Sequence, residues 1–211
     1  MPNWCSNRLT IEGDDAELER FYHANKHESD RSALSFERLL PRPTEVNDDK
    51  SGWSAVDWSN EHWGTKWDVD ANLERGPGHL DYSFDSAWGP PKEWFRAVAR
   101  WWPQLTMRLW YAEGGCDFGG YESRKGDELL ESEETTYRKA MVEEYGSVTD
   151  SCQYCEQEYT CDDADPEVRD ECPQCVETRC VHCGKWADDH VSNQCLFDST
   201  TYTTREQAKR V

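Results

Sequence analysis

Residues 4–12 of the chain, Trp-Cys-Ser-Asn-Arg-Leu-Thr-Ile-Glu, alternate in polarity along their length. Leu9 and Ile11 fall on one side with Cys5 and Asn7, while most side chains between them are polar. Successive side chains of a β-strand point to opposite faces of its sheet, so this alternation predicts a half-buried strand. The elements that follow can be placed relative to this strand.

A helix is predicted directly after the first strand. Gly13-Asp14-Asp15 offers a turn and a residue suited to cap a helix, and apolar residues recur at helical spacing to about Asn25. From Lys26 to about Asn60 the chain contains Pro41, Pro43 and other turn-forming residues. We therefore expect a long irregular connection there.

The next segment predicts a hairpin. Residues 67–73 alternate again, Gly76-Pro77-Gly78 forms a turn, and Leu80, Tyr82 and Phe84 lie on one face of the return strand. These two strands and the first one carry apolar residues at every second position. They therefore predict a sheet with one buried face.

A second helix and a fourth strand complete the pattern. Pro90-Pro91 favours a helix start and Pro103 a helix end, with an apolar stripe between them at Trp94, Phe95, Val98, Trp101 and Trp102. Residues 105–111 then alternate as a strand. The order β-α-β-β-α-β predicts an α+β fold, the ferredoxin-like sandwich.

Four short motifs resemble one known family. They are Met-Pro-Asn-Trp-Cys-Ser-Asn at residues 1–7, Trp-Gly-Thr-Lys-Trp at 63–67, Ala-Trp-Gly-Pro-Pro at 87–91, and Tyr-Ala-Glu at 111–113 with Phe-Gly-Gly at 118–120. Over residues 1–122 the chain resembles the YubB-type ferredoxin-like domain family of phage and plasmid proteins. The resemblance implies the same fold and an origin in a mobile element.

Two further parts are expected after this domain. Leu130, Tyr137, Met141 and Tyr145 recur at helical intervals among many glutamates, which predicts an amphipathic linking helix within residues 123–148. Residues 149–211 hold most of the cysteines and form a separate module in this interpretation.

The carboxy-terminal module contains eight candidate zinc ligands. Three C-x-x-C pairs and one H-x4-C pair supply thiolates and an imidazole, the ligands that zinc prefers in tetrahedral structural sites. The ligands are Cys152, Cys155, Cys172, Cys175, Cys180, Cys183, His190 and Cys195. The pattern predicts two bound Zn²⁺ ions, each with four protein ligands and no open position for catalysis.

The pairing of these ligands has two solutions. Sequential pairing gives a zinc ribbon followed by a knuckle-like C-x2-C-G-x5-H-x4-C site, whereas a cross-brace uses the same ligands in alternation. We favour sequential sites because the second cluster forms a closed unit by itself. Cys161 and His182 are left over, and we expect Cys161 to be a bystander.

The net charge limits the partners. The chain carries 23 Lys and Arg against 43 Asp and Glu, a formal charge of −20, so direct nucleic-acid binding is not expected. An acidic proteome would produce the same sign for solubility alone. No apolar run is long enough for a membrane span and the amino terminus lacks signal-peptide regions. We therefore expect a protein of the host-cell cytosol.

The open sheet face is the candidate surface for a partner. If the apolar alternating residues face the helices, the other face presents Trp4, Arg8, Asp68, Asp70, Asp81, Asp85, Arg108 and Trp110. The two tryptophans and two arginines form either a weak stacking site or cation–π pairs that neutralise the carboxylates. Acidic residues of the second half, Asp162, Asp163 and Asp165, extend the candidate partner-binding set.

A binding function is therefore predicted. The sequence contains no P-loop, dinucleotide-binding glycine pattern, H-E-x-x-H or G-x-S-x-G motif. We expect a non-enzymatic, acidic, phage-type zinc protein that binds a host protein with a basic surface, as a host-takeover or counter-defence factor. The alternatives are a zinc-knuckle nucleic-acid-binding protein and, third, an enzyme that uses the open sheet face.

Overall fold

The computed structural model describes residues 3–27, 32–47, 53–146, 148–151 and 158–161. The chain divides into two compact units, residues 1–140 and 141–211. Helix α6 crosses the boundary between them.

The first unit consists of a six-stranded sheet and the helices around it. Its strands are β1 (Trp4–Glu12), β2 (Ala71–Gly76), β3 (His79–Ala87), β4 (Thr106–Glu113), β5 (Phe118–Lys125) and β6 (Glu128–Thr135). Its helices are α1 (Asp15–Asn25), α2 (Phe36–Leu39), α3 (Thr44–Asn47), α4 (Trp53–His62), α5 (Lys92–Trp101) and the first turn of α6 (Tyr137–Tyr145).

The sheet confirms the predicted fold class. Its strand order is β2-β3-β1-β4-β5-β6, and every neighbouring pair is antiparallel. The first four strands with α1 and α5 form the ferredoxin-like β-α-β-β-α-β arrangement, and β5 and β6 extend the sheet at one edge.

The first strand has the predicted bounds, and Asp14 caps α1 by accepting a hydrogen bond from the backbone N–H of Ala16 at 3.0 Å.

The core lies between the sheet and the helices. The predicted inward-facing residues are all at most 5% exposed; they are Leu9, Leu80, Tyr82, Phe84, Leu105, Met107 and Leu109. Phe21, Trp94, Phe95 and Val98 meet them from α1 and α5 and are also fully buried. Trp101 departs from the prediction because it lies at the last turn of α5 and is 51% exposed.

The prediction of an irregular connection over residues 26–60 is wrong in part. That span contains α2, α3 and most of α4. Asp68 explains why α2 forms, because its carboxylate accepts hydrogen bonds from the backbone N–H groups of Phe36 at 2.6 Å and Glu37 at 3.4 Å. These donors have no partner within a helix of this length, so a carboxylate from elsewhere in the chain stabilises its start.

The contact of Asp68 with α2 also bears on where the first strand of the hairpin begins. Asp68 was expected on the open sheet face, inside a strand at residues 67–73, but the strand begins only at Ala71. The Asp68 carboxylate lies at the start of α2, where it also accepts a hydrogen bond from the Ser35 hydroxyl at 2.6 Å. The predicted turn at residues 76–78 is retained between β2 and β3.

The predicted linking helix at residues 123–148 is also wrong in part. Residues 118–125 and 128–135 form β5 and β6, and only Tyr137–Tyr145 is helical. The proposed domain end at residue 122 therefore falls inside β5. Glu122 of this strand forms an ion pair with Arg96 of α5 at 2.7 Å. Burial alone would raise the pKa of the Glu122 carboxyl, but hydrogen bonds from Arg96 and Arg124 outweigh burial and lower that pKa.

The second unit includes a short antiparallel hairpin. Strand β7 (Val148–Ser151) pairs with β8 (Glu158–Cys161), with Ser151 opposite Glu158 and Val148 opposite Cys161. The connection between the two strands is residues 152–157.

Gly120 provides a test of the β5–β6 extension. Its φ is +147°, and a Cβ there would lie 2.0 Å from the backbone oxygen of Glu133. We expect Gly120→Ala to lower the free energy of unfolding by about 2–4 kcal/mol in urea melts followed by tryptophan fluorescence.

Gly114→Ala is the control for that substitution. A Cβ at Gly114 would meet the ring of Tyr137 at 3.7 Å, which is ordinary contact. Equal stability of the two variants would contradict the described pairing of β5 with β6.

Candidate interaction surface

The open face of the sheet is a network of internal pairs. Arg8 lies 3.4 Å from Asp81, measured from Nε to Oδ1, and the Thr10 hydroxyl donates to the same carboxylate oxygen at 2.6 Å. Ser6 donates to Asp85 at 3.0 Å. The Arg8–Asp81 pair agrees with the interpretation that an arginine on this face neutralises a carboxylate.

The predicted stacking site of two tryptophans and two arginines does not assemble as an exposed surface. Trp110 is only 2% exposed, and its indole N–H donates to the backbone oxygen of Ala140 at 3.3 Å. The start of α6 covers this part of the sheet. Arg108 stacks on Tyr121, with its guanidinium carbon 4.4 Å from the ring centroid, so Trp4 alone of the predicted tryptophans is exposed, at 52%.

Trp4 belongs to a different group of side chains. Trp67 and Trp88 are 42% and 51% exposed, and the rings of Trp4 and Trp67 lie 6.1 Å apart between centroids. The ammonium of Lys66 lies 4.7 Å from the ring centroid of Trp67 and 4.9 Å from that of Trp88. We call Trp4, Lys66, Trp67 and Trp88 the indole cluster.

A buried neighbour positions the indole cluster. Trp63 is fully buried, and its indole N–H donates to the backbone oxygen of Leu40 at 2.9 Å. Gly64 follows with a φ of +82°, a left-handed conformation that glycine adopts readily. The turn brings Thr65 against β3, where its hydroxyl donates to the backbone oxygen of Ala87 at 3.0 Å.

Trp88 adopts an uncommon backbone conformation. Its φ is +68°, which is strained for a bulky residue. Its backbone N–H donates to the oxygen of Asn3 at 2.9 Å, and this contact holds the end of β3 beside the start of β1. A strained residue that exposes half of a large aromatic side chain marks a candidate binding site, because core packing gains little from it.

Sequence reasoning identified Trp4 but missed Trp67 and Trp88. Both stand in the motifs that carry the family resemblance, yet alternation placed Trp67 inside a strand. The signal for them was the spacing of Trp63, Gly64 and Trp67, in which a glycine turn separates two tryptophans and allows one to be buried and the other exposed.

A separate cavity of about 800 Å³ opens beside the start of α5. Lys92 donates to Glu134 at 2.6 Å and lies 4.6 Å from the ring centroid of Tyr111. Burial lowers the pKa of Lys92, but its hydrogen bonds to Glu134 and Tyr111 outweigh this and raise the pKa overall. Burial also raises the pKa of Tyr111, so both groups keep their protons at neutral pH.

The two cysteines of the first unit differ in exposure. Cys5 is buried, and this burial, together with the nearby Glu113, raises the pKa of its thiol to about 12. Cys116 is exposed in the turn after β4, where Glu113 accepts hydrogen bonds from the backbone N–H groups of Gly115 and Cys116.

The eight predicted zinc ligands lie outside the described residues. Within the part of the chain that the structure describes, no group of three or more His, Cys, Asp or Glu side chains is arranged to hold a metal ion. Asp162, Asp163 and Asp165 also lie outside it. Cys161 ends β8, at the end of the hairpin away from residues 152–157.

None of the helices in the described ranges is long and apolar enough to cross a membrane.

These features define the protein as a ferredoxin-like α+β sandwich with an extended antiparallel sheet and an exposed aromatic cluster. Residues 62–153 match the model of a family described as "Ferredoxin-like domain in Api92-like protein". The matched range runs from the end of α4 past β7 and covers less than half of the chain. It includes three of the four residues of the indole cluster, since Lys66, Trp67 and Trp88 lie inside it.

Two individual proteins are also similar. A protein of Escherichia coli (strain K12) named "Uncharacterized protein YubB" is 30% identical over 82 residues, 37% of this chain, and the match spans 56% of that protein's length. The crystal structure of a protein api92 from Yersinia pseudotuberculosis superposes with a TM-score of 0.51 at 12% identity, covering 64% of this chain and 98% of that one. The first supports the resemblance predicted from the motifs, and the second supports the fold alone.

Thiol labelling tests the described environment of the two cysteines. With iodoacetamide near pH 8.5, we expect the native protein to be alkylated at Cys116 and not at Cys5, because the thiolate is the reacting form and the pKa of Cys5 is raised to about 12. Peptide mass spectrometry reads out each position separately. Denatured protein, labelled at both, is the control, and equal native labelling would contradict the burial of Cys5.

Proposed function

We propose that this protein binds a partner macromolecule through the indole cluster and catalyses no reaction. The observation that carries the proposal is the exposure of three tryptophans, 42–52% each, two of which have ring centroids 4.7 and 4.9 Å from the ammonium of one lysine. Tryptophan is enriched among the residues that dominate binding energy at protein interfaces, and exposed clusters of large apolar side chains mark such sites.

The charge of the chain favours a basic protein as the partner. The formal net charge is −20, and β6 adds exposed Glu128, Glu131 and Glu134 along one edge of the sheet. A surface of this sign steers a basic partner toward it and repels a phosphate backbone. Association is expected to be fast and to slow with added salt, because exposed charges are screened over a Debye length.

The finer identity of the partner follows the family resemblance. A phage-type protein of this charge is suited to occupy a cationic nucleic-acid-binding surface on a host protein in the cytosol, as a takeover or counter-defence factor. The competing function is direct nucleic-acid binding by the carboxy-terminal module.

We further propose that residues 149–211 bind two Zn²⁺ ions through the eight cysteine and histidine ligands. The hairpin supports the first site, because Cys152 and Cys155 belong to the connection that joins β7 and β8. A C-x-x-C pair between two short antiparallel strands is the arrangement expected of a zinc ribbon. The ions would be structural, since four protein ligands each leave no position for a substrate.

Metal analysis tests the zinc proposal. Protein purified without chelator should contain two zinc ions, and Cys155→Ser and Cys183→Ser should each remove about one. Cleavage by protease should then increase after residue 146 while the first unit stays folded by circular dichroism. One zinc or none in the wild-type protein would contradict the proposal.

Partner capture with matched variants tests the binding proposal. Trp88→Ala should weaken binding of a basic partner recovered from host extract by about tenfold or more, because truncating an interface hot spot costs about 2 kcal/mol. Trp101→Ala is the control, since Trp101 has the same 51% exposure at the far end of α5. Tight binding of duplex DNA or RNA at about 0.15 M salt, unchanged in Trp88→Ala, would instead support the nucleic-acid function.

A further inference from the structure

We infer that the cleft between Trp67 and Trp88 binds an arginine side chain of the partner, and that Lys66 occupies this cleft in the free protein. The inference rests on the proposed function for the basic character of the partner. Beyond that function, it names the guanidinium of an arginine as the group that is recognised and Lys66 as a competitor for the same site within the protein.

The position of Lys66 shows that the cleft accepts a cation. The Lys66 ammonium lies within 4.7 and 4.9 Å of two ring centroids, inside the range of about 6 Å over which an aromatic face attracts a positive charge. Within the residues that the structure describes, no carboxylate forms an ion pair with Lys66. The indole rings are therefore its charge partners, and they provide the binding energy that a second cation would use.

Both rings retain surface for a partner. Trp67 and Trp88 are 42% and 51% exposed even with Lys66 in place, and Trp4 adds a third face beside Trp67. The backbone next to both residues is held by the hydrogen bonds of Trp63 to Leu40 and of Thr65 to Ala87. A backbone that is already ordered loses little conformational entropy on binding.

Arginine fits this cleft better than the lysine that fills it. The guanidinium group is planar, stacks on aromatic rings and is more weakly hydrated than an ammonium group. Moving an arginine into the cleft therefore costs less hydration free energy than Lys66 gains when its ammonium returns to water. Charge complementarity points the same way, because the acidic chain attracts a basic partner to this surface.

A peptide titration on the full-length protein tests the inference. The probe is a short acetylated and amidated peptide with one central arginine, and the control peptide carries citrulline, its neutral analogue. Binding is followed by the indole N–H signals of Trp67 and Trp88 in ¹H–¹⁵N spectra. Lys66→Ala removes the internal competitor, and Lys125→Ala makes the same charge change at the opposite end of the sheet, where Lys125 pairs with Thr106.

The expected result is selective. Lys66→Ala should tighten arginine-peptide binding roughly five- to thirtyfold over wild type, the effect of vacating two exposed cation–π contacts, while Lys125→Ala changes it less than twofold. Trp67→Ala and Trp88→Ala should each abolish the gain, and the citrulline peptide should not bind.

Three outcomes would overturn the inference: equal effects of the two lysine variants, equal binding of both peptides, or binding that survives both tryptophan variants. If a short single-stranded oligonucleotide shifted the same indole signals and lost affinity in Lys66→Ala, the cleft would be a phosphate and base site instead. The arginine peptide could bind as expected while the Trp88→Ala variant still binds the protein partner with full affinity. That result would contradict the proposed function but leave the arginine site in the cleft supported.

Discussion

The burial of Trp63 is the contact on which the candidate surface depends. Its indole contacts Phe36 edge-on at 5.9 Å between centroids, its N–H satisfies the backbone oxygen of Leu40, and its own backbone oxygen accepts from the N–H of Trp94. This one residue thus joins the segment around α2, the end of α4 and the start of α5. The chain that leaves Trp63 has to turn at Gly64, and this turn directs Lys66 and Trp67 to the surface.

Ion pairs organise the other edge of the first unit. Arg96 of α5 reaches Glu122 of β5, and Lys92 one turn earlier reaches Glu134 of β6, so α5 holds the two added strands to the sandwich. The Glu122 carboxyl is 6% exposed, which makes its pairing with arginine necessary, whereas Glu134 is 79% exposed and contributes little stability. The exposed acids of β6 also discourage pairing of this edge with another sheet. Part of the negative charge therefore has a structural role, and the remaining carboxylates can attract a basic partner.

The sequence predicted the elements whose signal is local. Alternation found β1, β3 and β4 with their buried faces, and the proline and glycine positions found the starts of α5 and of the hairpin turn. Prediction from the sequence failed where a contact between residues far apart in the chain determines the structure. Asp68 caps α2 across more than thirty residues of sequence, which no local pattern reveals. Residues 127–145 had helical spacing at Leu130, Tyr137, Met141 and Tyr145, but Leu130 lies in a strand because β6 pairs with β5.

The candidate surface was predictable only in part. Trp4 was identified from its outward position in β1, and Arg8 from the same alternation, whereas Trp110 has the same outward direction and is covered by α6. Trp67 and Trp88 depend on the left-handed conformations at Gly64 and Trp88, which bring two remote motifs together. Their juxtaposition is a property of the tertiary structure, and the local signal in the sequence was the spacing of Trp63, Gly64 and Trp67.

Hydrogen exchange of the full-length protein, with and without its bound partner, tests whether the indole cluster is the contact surface. We expect slower exchange of backbone amides in residues 64–67 and 87–89 on binding, with unchanged exchange in β6. Protection confined to residues 148–195, with residues 64–67 and 87–89 unaffected, would contradict it and assign binding to the carboxy-terminal module.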